Sequence, residues 1–259
     1  ERLANHTGDL GALAGDVGFL PTASFCGRLR GDFLNMTAVL CGNRFGRGLV
    51  RPGGTLVDAD AALVADLTGR LEATMKDLRG AAELLFGAAT VTARFEGTGR
   101  VDPAAAEEVG LVGPAARACG IDQDVRRDHP TGIFRFVHVP VMTAYEGDVN
   151  SRAWVRWLEA QRSHDFVKAQ LAALPKGPVR AEGAPLRPEH VAVSLVEGWR
   201  GEVCHVAVTG ADGRFSRYKV VDPSFHNWFG LALALRNEEI SDFPLCNKSF
   251  NLSYCGHDL

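Results

Sequence analysis

Four glycines, Gly8, Gly11, Gly15 and Gly18, recur at three-to-four-residue spacing along a stretch whose other face carries Leu3, His6, Leu10, Leu13 and Val17. One helix therefore bears two seams, one apolar and one without side chains. Each glycine costs a helix up to about 1 kcal/mol relative to alanine, so a stripe of four makes sense where a neighbouring helix backbone comes close. A compact helical bundle uses both seams. Residues 1–19 read as the interior of one of its helices, and His6 reads as a core histidine satisfied by hydrogen bonds rather than as a metal ligand.

The remaining pattern extends this reading. A second helical stretch covers Ala23–Leu40. Asp58 and Asp60 then precede Leu63, Leu67, Leu71, Met75, Leu78, Ala82 and Leu85, which keep helical spacing for about six turns. Another long helix follows Asp148–Ser151, with Trp154, Leu158, Val167, Leu171 and Leu174 expected toward the core, and Pro175, Gly177 and Pro178 stop it. From Val191 the period becomes two: Val191–Val196, Val203–Thr209 and Phe215–Val221 predict three antiparallel strands, the last two joined by a tight turn at Gly210–Gly213. Helix returns at Trp228, Leu231 and Leu235, and Phe250, Leu252 and Tyr254 alternate like a buried extended tail. The fold class is α+β, mainly helical: a bundle with a small antiparallel sheet near the C-terminal end.

Two segments carry more polar chemistry than scaffold requires. Cys41–Gly54 places Arg44, Arg47 and Arg51 among glycines, which suits an anionic group or a buried carboxylate, although a solvated loop has the same composition. Gly110–Pro130 is too long and too apolar for a linker, and loops of that length inside a domain are usually functional. The chain has 259 residues and a net charge of -3, from 28 basic and 31 acidic residues, so free-standing electrostatic binding to nucleic acid is not expected.

The six cysteines, at 26, 41, 119, 204, 246 and 255, include no C-x-x-C pair, so the usual structural zinc, haem and cluster loops are not specified. Cys26, Cys41, Cys119 and Cys204 read as buried or inert thiols. There is no G-x-S-x-G elbow, no Walker loop, no H-E-x-x-H and no strand followed by G-x-G-x-x-G.

Eight segments in register resemble one family. They are Glu1–His6 with Asp9; Arg44-Phe45 with Arg51–Gly54; Gly110–Pro114 with Arg117–Gly120; Asp124–Arg126 with Asp128–Pro130; Val139-Pro140 with Glu146–Asp148; Pro178-Val179; Glu197 with Arg200–Glu202; and Pro223–Phe225. The family is the large subunit shared by nickel-iron hydrogenases and respiratory complex I, and the chain resembles its energy-converting, formate hydrogenlyase-like branch.

The resemblance implies one domain over 1–259, with natural sequence expected to precede Glu1. It implies a small partner subunit carrying an iron-sulfur cluster, membrane subunits that move ions, and a cytoplasmic place at the periphery of the inner membrane. Arg44, Arg51 and Arg117 are then expected to face the cluster subunit. Asp128, His129, His257 and Asp258 are the protonatable candidates lining a cavity with the Arg44–Arg51 loop and the tail.

Nickel-binding members carry Asp-Pro-Cys-x-x-Cys in the tail. Here Asn251, Leu252, Ser253 and Gly256 take the places of the aspartate, the proline and the two cysteines, with Cys255 close by. No metal or cofactor is therefore expected on this chain, although a quinone in the vacated cavity is compatible with the resemblance. Gly46 stands where complex I members carry a histidine. The expected role is electron transfer in a complex I-like oxidoreductase; the alternatives are a hydrogenase with altered ligands and a non-catalytic scaffold.

Overall fold

The computed structural model describes residues 1–259. Its helices are α1 (Arg2–Asp16), α2 (Leu20–Cys41), α3 (Ala61–Gly87), α4 (Ala89–Phe95), α5 (Pro103–Glu108), α6 (Gly113–Arg117), α7 (Val125–Asp128), α8 (Val149–Ala172), α9 (Pro223–Ala234), α10 (Phe243–Phe250) and α11 (Tyr254–His257). The strands are β1 (Val50–Arg51), β2 (Gly54–Thr55), β3 (Val191–Glu197), β4 (Glu202–Thr209) and β5 (Phe215–Val221). Helices α1, α2, α3 and α8 pack around one core, with α10 laid against α1 and α8.

The glycine seam of α1 meets α2. A Cβ on Gly11 would lie 2.7 Å from the Cβ of Cys26, and one on Gly15 would lie 3.8 Å from that of Ala23, so the two helices approach at backbone distance. Gly18 does not belong to the seam. Its φ of +71° ends the helix, and Phe19 N–H closes the turn on Ala14 O at 2.8 Å. On α3 the expected stripe is buried from Leu67 to Leu85, each leucine contributing about 1.5–3 kcal/mol. Asp60 caps that helix by accepting from Leu63 N–H at 2.8 Å, and Asp148 caps α8 by accepting from Ser151 N–H at 2.7 Å.

Helix α8 departs from expectation. Trp154 is 37% exposed and stacks on Phe86, and Val167 and Leu174 are also exposed. The buried face instead holds Arg152, Ala153, Val155, Arg156, Trp157, Glu159 and Ala160. Apolar periodicity found the inward face only in part, since Leu171 packs against the core but three of the inward positions are charged.

The larger sheet is β3-β4-β5, antiparallel, in the register Leu195↔Cys204↔Val221, with a bulge at Val208/Thr209. It lies at the periphery and joins the bundle at its Glu197 end. There a Cβ on Gly113 would fall 2.1 Å from Arg200 O, so the turn between β3 and β4 is pressed onto the start of α6. The small β1-β2 hairpin is strapped to the segment after α8: Thr55 N–H donates to Val179 O and Ala181 N–H to Gly53 O, both at 3.0 Å. Cβ atoms on Gly53 and Gly54 would collide with that backbone at 2.1–2.2 Å, which accounts for the Pro-Gly-Gly sequence.

The tail is not extended. Helix α10 ends at Asn251 in the left-handed region, with φ 49°, and the chain turns into α11. Phe250 and Leu252 are buried as expected, whereas Tyr254 is 69% exposed. No helix is long and apolar enough to cross a membrane.

Candidate functional site

The charged positions turned inward by α1, α6, α8 and the end of β3 meet in one place. Arg117, with no exposed surface, ends α6 among three carboxylates: Glu159 Oε1 at 2.7 Å from Nε, Glu197 Oε1 at 3.0 Å from Nη1, and Asp124 Oδ2 at 3.7 Å from Nη1. The Glu159 contact is an ion pair without the alignment of a hydrogen bond, and Arg117 Nη2 has no acceptor. Asp124 is held by Arg126 through two contacts, at 2.8 and 2.5 Å. Glu159 Oε2 accepts from His6 Nε2–H at 2.7 Å, and Arg2 lies 3.6 Å away. Glu197 accepts from Val125 N–H at 3.2 Å and has its second cation, Arg2, only at 3.8 Å.

A second group continues toward the tail. Arg156 Nε donates to Asp9 Oδ2 at 2.7 Å and Arg156 Nη2 to Phe250 O at 3.2 Å, while Asn251 Nδ2 donates to Asp9 Oδ1. Arg200 Nε donates to Asn251 O and stacks on Trp199. Arg152 is a buried cation with no carboxylate partner. It donates to Ser249 Oγ, Gly147 O and Gly99 O and lies over the Phe250 ring, and burial brings its guanidinium down to about 10.

The electrostatics follow from burial and partners. Burial opposes the charge of Arg117, but Glu159, Glu197 and Asp124 outweigh it and hold the guanidinium above its ordinary value. Burial also opposes the charge of Glu159, which Arg117 and Arg2 nevertheless hold well below the usual carboxylate range. Asp124 is likewise lowered, its desolvation outweighed by the hydrogen bond from Arg126 and the charge of Arg117. Glu197 goes the other way: desolvation raises its carboxyl, Arg117 pulling it down too weakly and Asp124 adding to the rise. His6 is lowered by burial, against the pull of Glu159.

Two clefts open onto this cluster. An inner one of about 300 Å³ is lined by Arg2, Arg126, Glu159 and Glu197 with walls that include Phe134 and Trp199. An outer, acidic one of about 430 Å³ holds Asp124, Asp128, His129, Glu197 and Glu202.

The expected site residues do not converge as one cavity. Asp128 bonds to Arg127, its Oδ1 accepting from Nε at 2.8 Å. Asp128 sits in α7, and both Asp128 and His129 line the outer cleft. His257 and Asp258 are exposed at the far tail, and His257 stacks on Phe225. Arg44 and Arg51 lie exposed in the loop between α2 and α3, Arg44 reaching over Gly31 and Arg51 over Gly48. Neither cleft includes the loop or the tail. Arg117 cannot face a partner across a surface, because it is the centre of the buried cluster. His6 is a core histidine as expected, except that its Nδ1 has no partner and stands 3.9 Å from Asp9.

Glu159, Arg152 and Arg156 escaped the sequence reading altogether. Their one signal is spacing, since charges at 152, 156 and 159 share a helical face with Val155 and Ala160.

At the tail, the positions that align with metal ligands have other partners. Ser253 Oγ is taken up in capping α11, accepting from Gly256 N–H at 2.9 Å. A Cβ on Gly256 would sit 2.6–2.9 Å from the Asp222 carboxylate. Cys255, the remaining thiol, is exposed and 3.3 Å from Ser253 Oγ. No group of three or more His, Cys, Asp or Glu side chains is disposed to hold a metal. The donor set at these positions does not fit a nickel centre.

A family profile described as the respiratory-chain NADH dehydrogenase 49 kDa subunit matches residues 16–192. The carbon monoxide-induced hydrogenase of Rhodospirillum rubrum is 30% identical over 252 residues, covering 97% of this chain and 70% of that protein. Formate hydrogenlyase subunit 5 of Escherichia coli (strain K12) is 30% identical over 257 residues, 98% of this chain and 45% of that protein. An NADH-quinone oxidoreductase subunit of Clostridium beijerinckii is 30% identical over 230 residues, 88% of this chain and 62% of that protein. The chain thus spans less than two thirds of the second and third relatives.

Proposed function

Because this chain belongs to the respiratory-chain NADH dehydrogenase 49 kDa subunit family, we propose that it is the large subunit of a membrane-associated, complex I-like oxidoreductase. In that assembly it works beside an iron-sulfur subunit, at the periphery of the membrane. It supports two-electron chemistry of the quinone type, coupled to protons, rather than hydrogen turnover at nickel.

The observation that carries this reading is the closed tail. Ser253 caps its own helix and Gly256 backs onto Asp222, so the positions that would hold a metal are occupied by the protein's own contacts. The inner cleft supports the same reading: guanidinium and carboxyl groups together with the aromatic side chains of Phe134 and Trp199 suit a ring-bearing molecule with carbonyl oxygens. The exposed loop supports a docked partner, since Arg44 and Arg51 sit beside the exposed apolar side chains of Phe45, Val50 and Leu56.

The test is affinity purification of the tagged chain from its own cells. An iron-sulfur protein and membrane subunits should co-purify with it, and the preparation should reduce a quinone without stoichiometric nickel. Isolation as a lone chain, or nickel abolished by Cys255→Ala, would overturn the reading.

A further inference from the structure

Three carboxylates share Arg117, and they are not equally supported. Asp124 has Arg126 in two close contacts, and Glu159 has the His6 ring at 2.7 Å. Glu197 has no second close cation, Arg2 being 3.8 Å away and beyond hydrogen-bond reach. Its side chain is 2% exposed, yet it lines both the inner and the outer cleft, so it forms part of the wall between them.

The geometry points to Glu197 as the proton-exchanging carboxyl of this subunit, taking a proton from the outer cleft and presenting it to an oxygen-bearing molecule in the inner one. This rests on the proposed two-electron chemistry, because an acceptor reduced in the inner cleft needs protons from somewhere. The step is a transfer of protons alone. An O–H bond forms on the Glu197 carboxylate as an O–H bond of a hydronium ion in the outer cleft breaks and leaves water. That bond breaks as the proton passes to the reduced oxygen of the bound molecule, and the carboxylate is regenerated.

Charged neighbours on several elements bear on this. Arg2 on α1, Arg117 on α6 and Arg126 on α7 favour the ionised form. Asp124 before α7, Glu159 on α8 and Glu202 on β4 oppose it, with Asp128 and His129 at the outer rim. Pairs of carboxyls whose surroundings drive them apart are the usual way a site separates a proton carrier from a fixed charge. Here Asp124 and Glu159 are the fixed charges. The upward displacement of Glu197 by burial supports the assignment.

Infrared difference spectroscopy of the full chain, scanned upward in pH from the ordinary glutamate value of about 4.3, reads the group directly. A buried carboxylic-acid C=O signal should titrate in the wild type, vanish in Glu197→Gln and persist in Glu202→Gln. No such signal, or one that survives Glu197→Gln, would overturn the proposal. In the assembled complex, Glu197→Gln should slow quinone reduction by about a hundredfold with the iron-sulfur partner still bound. Glu197→Asp should restore part of the rate with a displaced pH profile. An unchanged rate and profile in an assembled Glu197→Gln complex would also overturn it. If the wild-type complex reduces no quinone, the proposed function fails, and the infrared titration still decides whether Glu197 exchanges protons.

Discussion

His6 Nε2 and Glu159 Oε2 lie 2.7 Å apart in the interior, 153 positions apart in the chain, and neither side chain is more than 4% exposed. The bond ties the first turns of α1 to the middle of α8. Because His6 is lowered by burial, the unfolded chain binds a proton there more readily than the folded one. Stability from this group is complete above the ordinary histidine value of about 6.5 and falls as the pH drops below it. Chemical denaturation across that range should lose up to about 1.4 kcal/mol per pH unit from His6, and His6→Gln should flatten the slope.

Arg117 neutralises a site that would otherwise hold three carboxylates. Arg117→Ala should destabilise the chain by about 3–5 kcal/mol, read as a drop in denaturation midpoint. Arg117→Lys should recover little of this, because one ammonium cannot meet Glu159 and Glu197 with the fork of a guanidinium.

The glycine seam separates two substitutions that look alike in sequence. Gly11→Ala puts a Cβ 2.7 Å from that of Cys26, between two packed helices, and should cost about 1–3 kcal/mol. Gly8→Ala meets only the Arg30 side chain, which can swing away, so it should be neutral or gain about 1 kcal/mol from helix propensity. Thermal melts of the two variants give the comparison.

Asn251 donates to Asp9 and caps α10 from the left-handed region. Asn251→Asp would set a second carboxylate against Asp9 and should loosen the tail, with amide exchange in α11 speeding up before the rest of the chain unfolds. Ser253→Ala removes the α11 cap and should cost about 1 kcal/mol locally.

Much of this architecture was legible because it rests on periodicity. The α3 stripe, the α1 seams as far as Gly15 and the three strands bury or pair what the spacing says they should. The cluster was legible only in pieces. Glu159, Arg152 and Arg156 look like a solvated face, since nothing local distinguishes a charge that meets its partner across 40 to 150 residues from one that meets water. The same blindness put Trp154 in the core. The tail misled for a different reason: alternation at Phe250, Leu252 and Tyr254 arises equally from a helix end, a left-handed residue and a new turn. His257 and Asp258 were expected in a cavity from the family resemblance, and they lie exposed beyond the turn at Asn251.

The strap between Gly53-Gly54 and Val179–Ala181 divides residues 173–190 into two short loops. Only the second of these, 182–186, lies between the strap and the next fixed point, where Thr209 Oγ1 donates to Arg187 O. Lengthening that loop adds little closure entropy, growing only with the logarithm of its length. An epitope or fluorophore inserted after Gly183 should therefore leave the fold in place. A deletion reaching Val179 or Ala181 would instead free the β1-β2 hairpin and, with it, the arginine loop that the hairpin holds.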